Sequence, residues 1–151
     1  MSNQQDDLLA RELSKVGSLG GKIGGGAAGA LGGSLGASLA ARFLPTEQYQ
    51  QQVSVSWDVA TVLTQLSSFL ATEGRIADDR EAGTSQFPKI SGILGSGFFK
   101  MNHTLVHVEV ISIDNDTCIL SVSGAAKEGL IKQRSAEKAV NRVVEFLTTI
   151  G

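Results

Sequence analysis

"TLVHVEVISIDNDTCILSVS", residues 104–123, decides the fold. Residues 104–113 and 117–123 are dominated by Val, Ile, Leu and Thr, with polar residues interleaved. The "DND" between them, residues 114–116, supplies side chains that hydrogen-bond their own backbone and tolerate a tight reversal. Two strands joined by such a turn read as an antiparallel hairpin. On its second strand Cys118 alternates to the same side as Leu120 and Val122. A lone cysteine in that pattern reads as a buried, inert thiol.

Outward from the hairpin, each flank carries an amphipathic helix. Upstream, Asp58 is a good N-cap. Val59, Val62, Leu63, Leu66, Phe69 and Leu70 then form one stripe, and Gly74 can end the helix. Downstream, a helix beginning near Ser135 turns Ala136, Ala139, Val140, Val143, Val144, Leu147 and Ile150 inward. Val53, Val55 and Trp57 alternate with Ser54 and Ser56 as a half-buried strand. Residues 90–99 read as another, and residues 129–132 could add a further one. Residues 77–89, "ADDREAGTSQFPK", are turn-rich and charged.

The order β-α-β-β-β-α is an α+β arrangement, a small antiparallel sheet with two helices on one face. In outline it is similar to the helix-grip and TATA-box-binding-protein-like folds, and an outline of this kind carries no function with it. Helices lying on a curved sheet often leave a groove, and Phe98 and Phe99 are candidates to line it. The competing reading is that both fill the core.

Composition bounds the rest. The chain has 151 residues, 42% apolar and 19% charged, enough for one core of about 100 residues and an appendage. A net charge of −2 and the lack of a Lys/Arg run give no footprint for nucleic acid. The single cysteine excludes an intrachain disulfide framework and any cysteine-based structural zinc site. The expected division is an N-terminal helical part, residues 1–45, and an α+β domain, residues 46–151, with Pro45 and the polar "TEQYQQQ" (46–52) as the hinge.

The appendage has its own pattern. Ten of the eighteen glycines lie in residues 17–36, sorted into rows four residues apart. Gly17, Gly21, Gly25, Gly29 and Gly33 continue to Ala37 and Ala41. Gly20, Gly24, Ala28, Gly32 and Gly36 continue to Ala40. A third row, Leu19, Ile23, Ala27, Leu31, Leu35, Leu39 and Phe43, holds the larger apolar groups. A flexible linker needs no such sorting. On a helix these rows make a smooth face beside an apolar ridge. Ten interior glycines cost such a helix roughly 10 kcal/mol relative to alanine, so a closely approaching second backbone must offset them.

Residues 17–41 resemble the glycine-zipper class of membrane-associated proteins. The resemblance implies helix packing through Gly17, Gly21, Gly25, Gly29, Gly33, Gly20, Gly24, Gly32 and Gly36, homo-oligomerisation, and a location in or against a membrane. It implies no active site. The nineteen residues 23–41 are uncharged and as a helix span about 28 Å, close to a hydrocarbon core. Only Ile23, Leu31, Leu35 and Leu39 are strongly apolar, so insertion should accompany assembly. Asp6, Asp7 and Glu12 make the first residues too acidic for a secretory n-region, and no cleaved signal peptide is expected.

Four features invite chemical readings. His103, His107 and Glu109 share strand parity, but the two histidines lie about 13 Å apart on an extended strand, too far for one ion. A solvent-facing strand is the simpler reading. "GILGSG", residues 92–97, lacks the Lys and the following helix of a phosphate loop and reads as a bulge or sheet bend. "AKEGLIKQR", residues 126–134, offers Lys127, Glu128, Lys132 and Arg134 as a solvated connection, or as a basic lip for lipid headgroups. Asp78, Asp79 and Glu81 lack the calcium-loop pattern.

The expectation is therefore a noncatalytic, membrane-associated assembly protein with no cofactor and no metal, partnered by its own copies and by lipid, with pore formation as one version. The alternative is a cytoplasmic, soluble oligomeric module for a small hydrophobic ligand or peptide, its glycine-rich helix packed inside the oligomer.

Overall fold

The computed structural model describes residues 45–77, 87–96, 102–114, 117–128 and 133–150, together with Arg11. The chain divides into two compact units, Met1–Thr46 with Lys127–Lys132 and Glu47–Ala126 with Gln133–Gly151. In the first, the Glu128 N–H donates to the Pro45 carbonyl at 3.0 Å and Lys127 Nζ donates to Thr46 Oγ1 at 2.6 Å.

Apart from the terminal strand residues Thr46 and Lys127, the second unit is built from strand β1 (Thr46–Val55), helix α1 (Val59–Glu73), strands β2 (Gly74–Ile76), β3 (Lys89–Ser96), β4 (Asn102–Asp114) and β5 (Thr117–Lys127), and helix α2 (Ser135–Ile150). Together they form one antiparallel sheet of order β1-β5-β4-β3-β2 with two helices, a mixed α+β fold. Helix α1 follows β1, and β2 starts at the far edge of the sheet. The chain then walks back by adjacent antiparallel pairings until β5 lies beside β1.

The expected caps are present. Asp58, at φ −69° and ψ 155°, accepts the Thr61 N–H at 3.0 Å through Oδ1, and Thr61 Oγ1 donates to Oδ2. The Gly74 N–H closes the helix on the Leu70 carbonyl. The start of α2 is capped from a distance: the Ala136 N–H donates to Glu47 Oε2 of β1 at 2.8 Å, a charge-assisted bond to a helix N-terminus. Thr104 Oγ1 donates to the Ser135 carbonyl, and Arg134, just before the helix, sits at φ 53°.

One face of the sheet carries the core. Val62, Leu66 and Leu70 of α1 and Ala139, Val140, Val143 and Leu147 of α2 pack with Val53, Val55, Leu94, Val106, Val108, Val110, Cys118, Leu120 and Val122. Two strand glycines set how close the helices come. A Cβ on Gly92 would lie 2.9 Å from Leu70 Cδ2, and one on Gly124 would lie 2.9 Å from Val140 Cγ2 and 3.1 Å from the Ala136 carbonyl oxygen. Each helix thus crosses the sheet over a position without a side chain. Phe69 and Phe146 stack between the helices with ring centroids 4.4 Å apart. Arg142 of α2 donates to Glu73 Oε2 and to the Gly95 carbonyl, tying both helices to β3.

The structure corrects three details of the sequence reading. Residues 46–52 are the first part of β1, with no hinge character. Glutamines there hide the alternation, and pairing with β5 overrides their weak strand preference. Strand β2 was not expected: three residues are too short for a period. Its place is set at Gly74, where a Cβ would stand 2.0 Å from the Ile93 carbonyl oxygen. Residues 92–96 hold neither bulge nor bend in their pairing, because β3 runs in continuous register with β4 from Lys89↔Glu109 to Ser96↔Asn102. The register shift lies on β4 instead, between Val110 and Ser112. The hairpin is as read, with Asp114 pairing with Thr117. Ile150 and residues 129–132 lie outside the described side chains.

Two measurements test this account. Gly124→Ala should destabilise the chain by about 1–3 kcal/mol in chemical denaturation, as overpacking does. Val140→Ala should recover part of that loss in the double variant by removing the colliding methyl group. At Asp58, the Thr61 hydroxyl first and its N–H second hold the carboxyl below its ordinary value of 3.8. A depressed pKa contributes stability that is present above the ordinary value and lost as pH falls through the folded value. Asp58→Ala should therefore lower the melting temperature at neutral pH, and the deficit should narrow below about pH 4.

Candidate functional site

The chemistry-bearing residues gather on the face of the sheet opposite the helices. Strand pairing places Arg75, Ile93, Leu105 and Ala125 in one row across β2, β3, β4 and β5. The neighbouring row is Ser91, His107 and Ser123, and the next is Lys89, Glu109 and Ser121. Gln50 of β1 extends this last row, its amide donating to Ser121 Oγ at 2.8 Å.

The centre of this face is shut off from water. Leu105 is 0% exposed, Ser91 1%, and Ile93 and Ala125 each 4%. Ser91 Oγ lies 2.6 Å from His107 Nδ1. His107 Nε2 and Arg75 Nη2 are also shielded from solvent.

His103, His107 and Glu109 do share one face, as parity required, but they are half-buried, so the expected solvent-facing strand is corrected. Strand β4 pairs without interruption from Asn102 to Val110, so the two histidines remain four residues apart, about 13 Å. Among the described residues no group of three or more His, Cys, Asp or Glu comes together. Ser91 was missed by sequence reasoning. Only the β3–β4 register sets it beside His107, and no spacing along the chain encodes that pairing.

A serine beside a histidine is the beginning of a nucleophile–base pair. Here the hydroxyl is enclosed, and a substrate would have to open the sheet face to reach it. What the pair does in this structure is satisfy a buried hydroxyl across two strands. Cys118 faces the helix side, and its thiol donates to the Trp57 carbonyl at 3.0 Å. Burial first, and the Asp58 carboxylate second, push its pKa up, which disfavours the thiolate that reactivity requires.

The remaining candidates are scattered. Lys127 contacts Thr46, Glu128 is buried, and Arg134 is exposed 3.6 Å from Glu137. Lys132, Phe98, Phe99, Asp78, Asp79, Glu81 and all nine packing glycines of residues 17–36 lie outside the described residues. Among the described residues no helix is long and apolar enough to cross a membrane. The uncharged run 23–41 is not among them.

Removing either member of the Ser91–His107 pair should cost about 1–3 kcal/mol, as for a buried group that loses its partner. In a double-mutant cycle, Ser91→Ala with His107→Ala should cost less than the two losses added. Strict additivity in urea denaturation would show that the two side chains are not coupled.

Comparison with known proteins finds no family model that matches the chain and no curated protein that matches its sequence.

Proposed function

We propose that this is a noncatalytic assembly protein. A glycine-zipper helix in residues 1–45 oligomerises in or against a membrane, and the α+β domain, residues 46–151, is held at that surface. The observation that carries the reading is the sorting of residues 17–41. Two adjacent rows contain only Gly and Ala, and the large apolar side chains keep to a third. Such sorting serves close helix approach and serves a flexible tether not at all.

One feature of the α+β fold supports this reading over a binding module for a hydrophobic ligand: Phe69 and Phe146 stack between α1 and α2, where a lipid-like ligand would enter the helix layer. The burial of the Ser91 hydroxyl beside His107 supports the noncatalytic part of the reading.

The test is fractionation with substitution. The full chain should pellet with membranes and resist carbonate extraction, and a chain starting at Thr46 should remain in the supernatant. Gly25→Leu and Gly29→Leu should lower the oligomer fraction in crosslinking, and Ser34→Leu, on a different row, should do less. All three add apolar bulk and improve helix propensity, so only close backbone packing separates them. A full chain recovered without detergent as a soluble oligomer would transfer the zipper to the soluble alternative. Equal behaviour of the three variants with assembly intact would remove the zipper altogether.

A further inference from the structure

We propose that the outer edge of β1 pairs antiparallel with the same edge of a second copy of this chain, joining two five-stranded sheets across a two-fold axis. This interface is separate from the glycine-rich segment and stands independently of the function proposed above.

A sheet edge is a row of backbone donors and acceptors, and proteins guard such edges by shortness, bulges, proline or charge. The two edges of this sheet differ in that respect. The β2 edge is guarded by its length, three residues. The β1 edge is ten residues long, and among the described residues it has a neighbour, β5, on one side alone. Within β1 there is no proline and no lysine or arginine, and Glu47 is its one charged residue. Glu47 belongs to the helix side, where it caps α2 through the Ala136 N–H.

The strand is also chemically suited to itself. Gln48, Gln50, Gln52 and Ser54 are exposed on the face away from the helices. A two-fold axis near the strand's middle passes through residue 50 or residue 51. With residue 50 at the axis, Gln48 faces Gln52, Gln50 faces Gln50, and Glu47 faces Val53. With residue 51 at the axis, Gln50 faces Gln52, Gln48 faces Ser54, and Glu47 faces Val55. In neither register do like charges meet, and amide side chains can hydrogen-bond across the seam. An isologous pairing uses the whole long edge and closes on itself. Pairing β1 onto the β2 edge of another copy would engage three residues and leave the assembly open.

Single cysteines introduced into the full chain test the geometry, with the native chain as control for Cys118, which is buried and should not crosslink. Opposed residues in an antiparallel pair have Cα atoms about 4.5–5.5 Å apart, within the roughly 4.4–6.8 Å that a disulfide accepts. Gln50→Cys or Gln51→Cys should therefore form a disulfide-linked dimer on mild oxidation. Ser54→Cys, also exposed but some 20 Å or more from its own copy across either axis, should not. The β1 disulfide should survive Gly29→Leu, which addresses only the zipper. Gln50→Lys with Gln52→Lys should weaken dimerisation about tenfold in sedimentation by setting like charges opposite one another, with thermal unfolding confirming an intact fold. Three results would each overturn the proposal: equal or absent crosslinking at residues 50, 51 and 54, loss of the β1 disulfide with Gly29→Leu, or an unchanged dimer in the lysine variant.

Discussion

Two positions without side chains set the distance between the helix layer and the sheet, and most of this structure depends on that distance. Leu70 of α1 lies over Gly92, and Val140 of α2 lies over Gly124, each so close that a single added carbon would stand 2.9 Å away. At that separation the leucines and valines of both layers interlock, which is where close-packed interiors gain their dispersion energy. Leu66, Leu94, Leu120 and Leu147 are fully buried in consequence. The Phe69–Phe146 stack and the Arg142 contacts to Glu73 and Gly95 then close the layer around that core.

The capping pattern belongs to the same economy of structure. Helix α1 is capped locally by Asp58, three residues before Thr61, and its start is a property of the chain itself. Helix α2 instead relies on Glu47, 89 residues earlier, so its first turn is completed only when β1 has joined β5. The edge strand β1 is therefore needed for the helix that follows its neighbour β5. That coupling explains why a strand so rich in glutamine is kept: Tyr49, Val53 and Val55 pack inward, and Glu47 satisfies a helix terminus.

The face away from the helices has a different character. Its polar residues are not spread over a wet surface, since Ser91 and Leu105 are enclosed at its centre. A serine–histidine hydrogen bond in that setting is structural chemistry. In a dry interior an unmet hydroxyl is costly, and pairing it across two strands holds their register.

The sequence by itself determined the two helices, their caps at Asp58 and Gly74, the inward stripes through Leu66 and Val143, the 114–117 hairpin and the inward side of Cys118. Each is a local matter of period or turn chemistry, readable within about fifteen residues. Tertiary structure decided the rest. Strand β2 is three residues long and exists because β3 accepts it, and the first half of β1 is a strand because β5 pairs with it. Gly92 had the look of a bend, but its reason is a leucine on a helix more than twenty residues away in sequence. Ser91 and His107 could be joined only by a register that pairs residues sixteen apart across two strands. Such pairings are set by the global packing of the sheet, which no local pattern contains.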